Sequence, residues 1–123
     1  MFGKKEQGIL TQSSPDKIDT IIGKNTIIEG TIKTEETIRI DGSLKGDIIC
    51  NGNLFIGESA EILGNIKAKN ITIAGKVEGN VNSQGQLIIT NSGRLKGDIE
   101  VTNLSIEDGA FFEGTCKMIS KEQ

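Results

Sequence analysis

Apolar residues along this chain fall at alternate positions, and the pattern restarts about every seventeen residues. The clearest unit is a five-residue string, apolar-x-Gly-x-apolar. It reads Ile28-Glu29-Gly30-Thr31-Ile32, then Leu44-Lys45-Gly46-Asp47-Ile48, then Ile62-Leu63-Gly64-Asn65-Ile66. Further copies are Val77-Glu78-Gly79-Asn80-Val81, Leu95-Lys96-Gly97-Asp98-Ile99 and Phe112-Glu113-Gly114-Thr115-Cys116, with a mean glycine spacing of 16.8 residues. Upstream of each string lies an apolar-x-Ile unit, as in Ile38-x-Ile40, Leu54-x-Ile56, Ile71-x-Ile73, Leu87-x-Ile89 and Leu104-x-Ile106; Thr20-x-Ile22 is a degenerate first copy. Downstream, a small or apolar residue holds one more slot: Thr34, Cys50, Ala68, Ser83, Val101 and Met118. A two-residue period marks strands with one buried face and excludes helices. Three short strands per repeat predict an all-β parallel β-helix (β-solenoid) of about six rungs around a triangular aliphatic core. At ~4.8 Å per rung it would stand roughly 29 Å tall.

The repeat tolerates uneven corners. From the isoleucine of each apolar-x-Ile unit to the next apolar slot the spacing is six residues in four copies and four in the other two. The short versions carry Asp41-Gly42 and Ala74-Gly75, residues suited to tight turns. Outward positions such as Thr37, Arg39, Lys45, Glu78 and Lys96 are expected to face solvent, with Phe55 and Ile88 as apolar exceptions. Residues 1–19 lack the repeat and read as a flexible N-terminal tail, residues 20–118 as the β-helix domain, and residues 119–123 as a short C-terminal tail.

Composition narrows the function. The 123 residues suffice for one small domain, and four phenylalanines with no tyrosine or tryptophan rule out a large aromatic core. A net charge of −3 with both signs interspersed offers no broad basic face for nucleic acid. Cys50 and Cys116 fall in the second and sixth rungs, roughly 19 Å apart by rung height, too far for a disulfide. Both are expected to act as small buried hydrophobes in a reducing compartment. With no signal peptide or membrane span in the sequence, the expected compartment is the cytoplasm.

The chain contains no histidine. That removes histidine-based catalysis, histidine metal sites and most catalytic triads. A β-helix acyltransferase of the hexapeptide-repeat type, the main enzymatic alternative, requires six-residue sub-repeats in an 18-residue turn and typically a catalytic histidine; neither is present here. Asp47, Glu78 and Asp98 sit in different rungs and read as a solvated face. The expectation is therefore no enzyme, no cofactor, no metal and no nucleotide.

A solenoid has two open ends. Natural β proteins cover or charge such edges to prevent further strand addition, and no cap is visible here. The last rung instead brings Phe111, Phe112, Met118 and Ile119, and the first offers Ile21, Ile22 and Ile28. End-to-end self-association through these residues is the expected use of the ends, with dry apolar stacking and backbone pairing holding each joint.

The small uncapped β-helix, the repeated Leu-x-Gly-x-Ile/Val string, the late Phe112-x-Gly114-x-Cys116-x-Met118 and the start Met1-Phe2-Gly3-Lys4-Lys5 together resemble the bactofilins, bacterial polymer-forming cytoskeletal proteins. The resemblance covers the whole chain. It implies a right-handed triangular β-helix and nucleotide-independent, non-polar filaments joined through like ends. It also implies roles in cell shape or in placing cell-wall-modifying enzymes and membrane proteins at the inner face of the cell membrane. A hydrophobic residue in the last winding supports polymerisation in that family, and Phe112 is the best match, Phe111 the second. The long Pro-rich arms of some members are missing, which puts partner binding through such arms in doubt.

The resemblance further implies a membrane role for the tail. Met1 and Phe2 are apolar and Lys4 and Lys5 follow. Each lysine near an anionic surface contributes ~1 kcal/mol and the two apolar side chains another ~1–3 kcal/mol. The total, roughly 3–5 kcal/mol, is millimolar for one chain, and a polymer would multiply it through many tails. A different expectation keeps the fold and changes the use: an adaptor whose outer faces, with Phe55 and Ile88, dock cell-wall enzymes.

Overall fold

The computed structural model describes residues 18–119. Sixteen short strands wind through six turns. The first turn holds β1 (Thr20–Ile22), β2 (Ile27–Glu29) and β3 (Ile32–Thr34); the second holds β4 (Ile38–Ile40), β5 (Ser43–Lys45) and β6 (Ile48–Cys50). The third holds β7 (Asn53–Ile56), β8 (Glu61–Leu63) and β9 (Ile66–Ala68). Then follow β10 (Asn70–Ile73), β11 (Lys76–Glu78), β12 (Val81–Ile89), β13 (Arg94–Lys96), β14 (Ile99–Ile106), β15 (Phe111–Glu113) and β16 (Cys116–Met118). Both β12 and β14 run through a corner, so each ends one turn and begins the next.

Every strand pairing is parallel and joins one turn to the next. The first face stacks β1, β4, β7, β10 and the second halves of β12 and β14, with Leu54 on Ile38, Ile71 on Leu54 and Leu87 on Ile71. The second face is a six-stranded sheet, β2-β5-β8-β11-β13-β15. The third stacks β3, β6, β9, the first halves of β12 and β14, and β16. The expected parallel β-solenoid of six turns is therefore the observed architecture.

The pleat places every repeat apolar slot inward. Ile40, Ile48, Leu54, Ile73, Leu87, Ile89, Leu95 and Val101 are fully buried, and among the described residues no aromatic belongs to the buried core. Isoleucine and leucine suffice because opposing faces of so narrow a prism meet directly. β-Branched side chains also suit a pleated, stacked surface.

The glycine of the five-residue string is a steric requirement. Gly46, Gly64, Gly79, Gly97 and Gly114 have φ between +141° and +152°, and a Cβ on any of them would overlap the carbonyl oxygen of the glycine one turn earlier. Both the conformation and the close approach exclude other residues. Gly30, in the first turn, shares the positive φ but meets nothing within 4 Å.

One outward assignment is corrected. Thr37 is 8 % exposed, not solvent-facing: it precedes β4 beneath the entering chain, and its carbonyl accepts the Asp19 and Thr20 N–H groups. Asp47 and Asp98 are exposed, as expected of a solvated face, and they also belong to a ladder at the corner between the second and third faces. Asp47 Oδ1 accepts the Asn65 N–H at 3.0 Å, Asn65 Oδ1 that of Asn80 at 3.0 Å, Asn80 Oδ1 that of Asp98 at 3.2 Å, and Asp98 Oδ1 that of Thr115 at 3.2 Å. Each side chain satisfies a corner N–H that the strand ladder leaves over.

Uneven corners are reconciled by side chains as well. Where a six-residue corner overlies a four-residue one, a serine bridges the step: Ser59 donates to the Asp41 carbonyl and Ser92 to the Ala74 carbonyl, both at 2.8 Å.

Candidate functional site at the open ends

Inward slots that are at most 2 % exposed in the middle turns become accessible at both ends. In the first turn Ile22, Ile28 and Ile32 are half-buried, packed on the core from one side only. In the last turn Leu104 and Phe112 are half-buried, Ile106 is 45 % and Met118 55 % exposed, and Cys116 is exposed. Phe112 stacks in register on the fully buried Leu95. The Cys116 thiol lies 3.7 Å from the Met118 sulfur. Both ends are thus apolar layers of the core with no further turn above them among the described residues.

Strand edges accompany these layers. Through the body, the string glycine donates its N–H to the following turn: Gly46 to the Leu63 carbonyl at 2.9 Å, Gly64 to Glu78 at 3.0 Å, Gly97 to Glu113 at 2.9 Å. Gly114 carries the same backbone conformation into the last turn. The end therefore presents polar backbone in strand geometry around an apolar centre, which a second strand layer can satisfy.

The expected interface residues separate into two groups. Phe112 and Met118 occupy inward slots at one end, Ile22 and Ile28 at the other. Ile21 and Phe111 instead point outward. Ile21, 64 % exposed, is in register with Arg39, and Phe111 is in register with Arg94, whose guanidinium carbon lies 5.5 Å from the ring centroid. Ile119 is half-buried, and its N–H donates to the Val101 carbonyl at 2.7 Å. Leu104, Ile106, Cys116 and Ile32 complete the end layers and were absent from the expected set. Their positions in the repeat register were the signal that could have found them. Met1, Phe2, Lys4 and Lys5 lie outside the described residues.

Cys50 proves to be more than a small hydrophobe. Its thiol donates to the Glu36 carbonyl at 3.2 Å and receives the Gly52 N–H at 3.4 Å. Burial pushes its pKa up, the Gly52 N–H opposes that shift, and Glu35 adds to it. Ser83, two turns on in the same slot, donates its hydroxyl to the Lys69 and Gln86 carbonyls. Among the described residues no group of three or more His, Cys, Asp or Glu is placed to hold a metal ion.

A family profile described as "Bactofilin: Polymer-forming cytoskeletal" matches residues 20–117. The chain belongs to the bactofilin family. Bactofilin BacO of Myxococcus xanthus (strain DK1622) is 33% identical over 105 residues, which cover 85% of this chain and 83% of BacO. The cytoskeletal bactofilin BacA, solved by solid-state NMR, matches with a TM-score of 0.71 at 29% identity, over 85% of this chain and 100% of that one. Thermus thermophilus bactofilin, reconstructed by cryo-EM in double helical filaments, shares the fold with a TM-score of 0.73 at 23% identity, over 79% of this chain and 98% of that one. This bactofilin therefore belongs to a family of polymer-forming cytoskeletal proteins, and its solenoid is the family fold.

Proposed function

We propose that this chain assembles end to end into filaments through its two apolar end layers, without nucleotide, and that residues 1–5 hold the polymer at the inner face of the cell membrane. The observation that carries the reading is the contrast between buried middle slots and the accessible equivalents Ile22, Ile28, Phe112 and Met118. A joint would bury these side chains and pair the free strand edges, and neither gain draws on nucleotide hydrolysis. The cross-section is small beside a standard interface of ~1,600 Å², so backbone pairing must contribute much of the adhesion.

Joining through like ends is supported by the corner ladder. Its side chains act from one turn to the next in a single direction, and the position is held by threonine at both extremes, Thr31 and Thr115. A copy stacked in the same direction would find no Asp or Asn at Thr115 to cap its first corner. Non-polar filaments follow from like-end joints. Such a polymer, displaying a tail per chain, would scaffold cell-shape or cell-wall proteins at the membrane.

Negative-stain electron microscopy of the purified protein without nucleotide tests the reading. Filaments one solenoid wide or multiples of that width are expected. Monodisperse monomers or closed trimers across concentrations would refute it.

A further inference from the structure

The three outer faces differ sharply in charge. In turns three to six the outward residues of the second face are Glu61, Leu63, Lys76, Glu78, Arg94, Lys96, Phe111 and Glu113, six of them charged. On the third face Lys67, Asn82, Glu100 and Lys117 are in register, three of them charged. The first face carries no charge over the same turns. One of its columns is amide (Asn53, Asn70, Gln86, Asn103), and the other runs Phe55, Thr72, Ile88, Ser105. The amides are partly linked to one another, with Asn70 Nδ2 donating to Asn53 Oδ1 at 3.0 Å. Charge returns to this face only in the first two turns, as Asp19 and as Arg39, and Arg39 is ion-paired to Asp41 at 3.0 Å.

We propose that the first face is a lateral contact between two copies of this chain in neighbouring filaments, related by a two-fold axis parallel to the strands and passing between β10 and β12. Two observations choose a second copy as the occupant. A two-fold contact sets a patch against itself, residue i of one copy on residue j of the other, so a face whose exchanged positions share a sign repels its copy. The same operation on the second face would set Lys76 against the partner's Arg94, and on the third Lys67 against the partner's Lys117, whereas the first face sets no charge against a like one over four turns. The second observation is shape. The Phe55, Thr72, Ile88, Ser105 column alternates large and small from turn to turn. The stated axis reverses the turn order and keeps apolar column on apolar column. Phe55 then meets the partner's Ser105 and Ile88 meets the partner's Thr72, large against small at every level. Phe55 and Ile88 sit two turns apart, ~9.6 Å, so each enters a gap of matching rise.

The size of the face sets when it acts. Four turns and a four-residue strand give roughly 19 Å by 13 Å, about 250 Å² per chain, against ~800 Å² per partner for a stable pair. Isolated chains will not dimerise through it. Chains aligned in a filament present it repeatedly, and the contact becomes effective by multivalency.

The proposal rests on the end-to-end polymer, and electron microscopy separates the two. Absence of any wild-type filament defeats the polymer; wild-type filaments that remain single and unpaired defeat the lateral contact. With paired wild-type filaments in hand, Phe55→Glu sets a carboxylate on the face without touching the core. It is expected to leave filaments of normal length but single. Paired filaments of Phe55→Glu would overturn the assignment of the face. Adding Ser105→Lys to Phe55→Glu is expected to restore pairing, because the two positions are three turns apart within a chain and opposite across the axis. Failure to restore it would overturn the two-fold register. Leu63→Glu, on the second face, serves as the control that leaves pairing intact; loss of pairing there would also overturn the assignment.

Discussion

The side-chain oxygen of Asn65 accepts the backbone N–H of Asn80, one turn later, at 3.0 Å, and Asn80 repeats the bond to Asp98 at 3.2 Å. Short polar side chains at this corner therefore act as a vertical seam between turns. Asn80→Ala leaves the Asp98 N–H without its partner and is expected to cost about 1 kcal/mol. Urea denaturation at matched protein concentration measures it. An unchanged midpoint would mean that water replaces the seam without loss.

The glycine stack predicts a position-dependent penalty. Gly79→Ala must relieve both a φ of +146° and an overlap with the Gly64 carbonyl, and is expected to lose more than about 3 kcal/mol. Gly30→Ala has the strained φ but open space, so its cost is expected near the ~1–3 kcal/mol of strain alone. Equal destabilisation of the two, by thermal or urea unfolding, would contradict the stacking argument.

Cys50 makes alkaline stability titratable. Burial raises the thiol pKa in the folded chain, so the folded state holds the proton more tightly than the unfolded state. The Cys50 contribution is complete below the unfolded thiol pKa of ~8.5 and is lost as pH rises through the folded value. Cys50→Ser should flatten this alkaline fall. Because Ser83 already places a hydroxyl donor in the equivalent slot, the change is expected to cost only about 1 kcal/mol at neutral pH. An unaltered alkaline limb in the variant would exclude Cys50 as its source.

Adjacent phenylalanines are expected to differ in assembly. Phe112→Arg puts a charge into the apolar end layer, where a joint would bury it unpaired. It should yield short oligomers with unchanged β-sheet circular dichroism. Phe111→Arg lies on the outer face beside Arg94 and should leave filament length nearly unchanged. Long filaments from Phe112→Arg, with the fold intact, would place the joint elsewhere.

Deleting residues 1–5 should abolish co-sedimentation with anionic liposomes while filaments persist. Equal pelleting of full-length and shortened chains would refute membrane attachment through Met1, Phe2, Lys4 and Lys5.

Much of the fold was legible in the sequence because the relevant physics is local. A strand exposes alternate residues to opposite sides, so Ile38-x-Ile40 or Leu95-x-Gly97-x-Ile99 declares its buried face without reference to the rest of the chain. The repeat then places each string above the one before it, and six turns follow by counting. All four of Phe111, Phe112, Ile21 and Ile22 were expected at the interface, and the strand register of the structure separates Phe112 from Phe111 and Ile22 from Ile21. Hydrophobicity alone could not, since both members of each pair are apolar and only one faces the core.

What the sequence determined by itself was therefore the strand period, the number of turns and the residues of the core, since each depends on alternation within a few residues. Tertiary structure alone decided the partners of polar groups. Asp47 and Asp98 are solvated, as expected, and also join the corner seam because the N–H each accepts belongs to the next turn, 17 or 18 residues away. Thr37 is buried because the entering chain crosses it, and Cys50 bonds a carbonyl 14 residues earlier. The uncharged first face also emerges only on winding. Its residues are scattered from Asn53 to Ser105 in the chain, and stacking of the turns brings them into two adjoining columns.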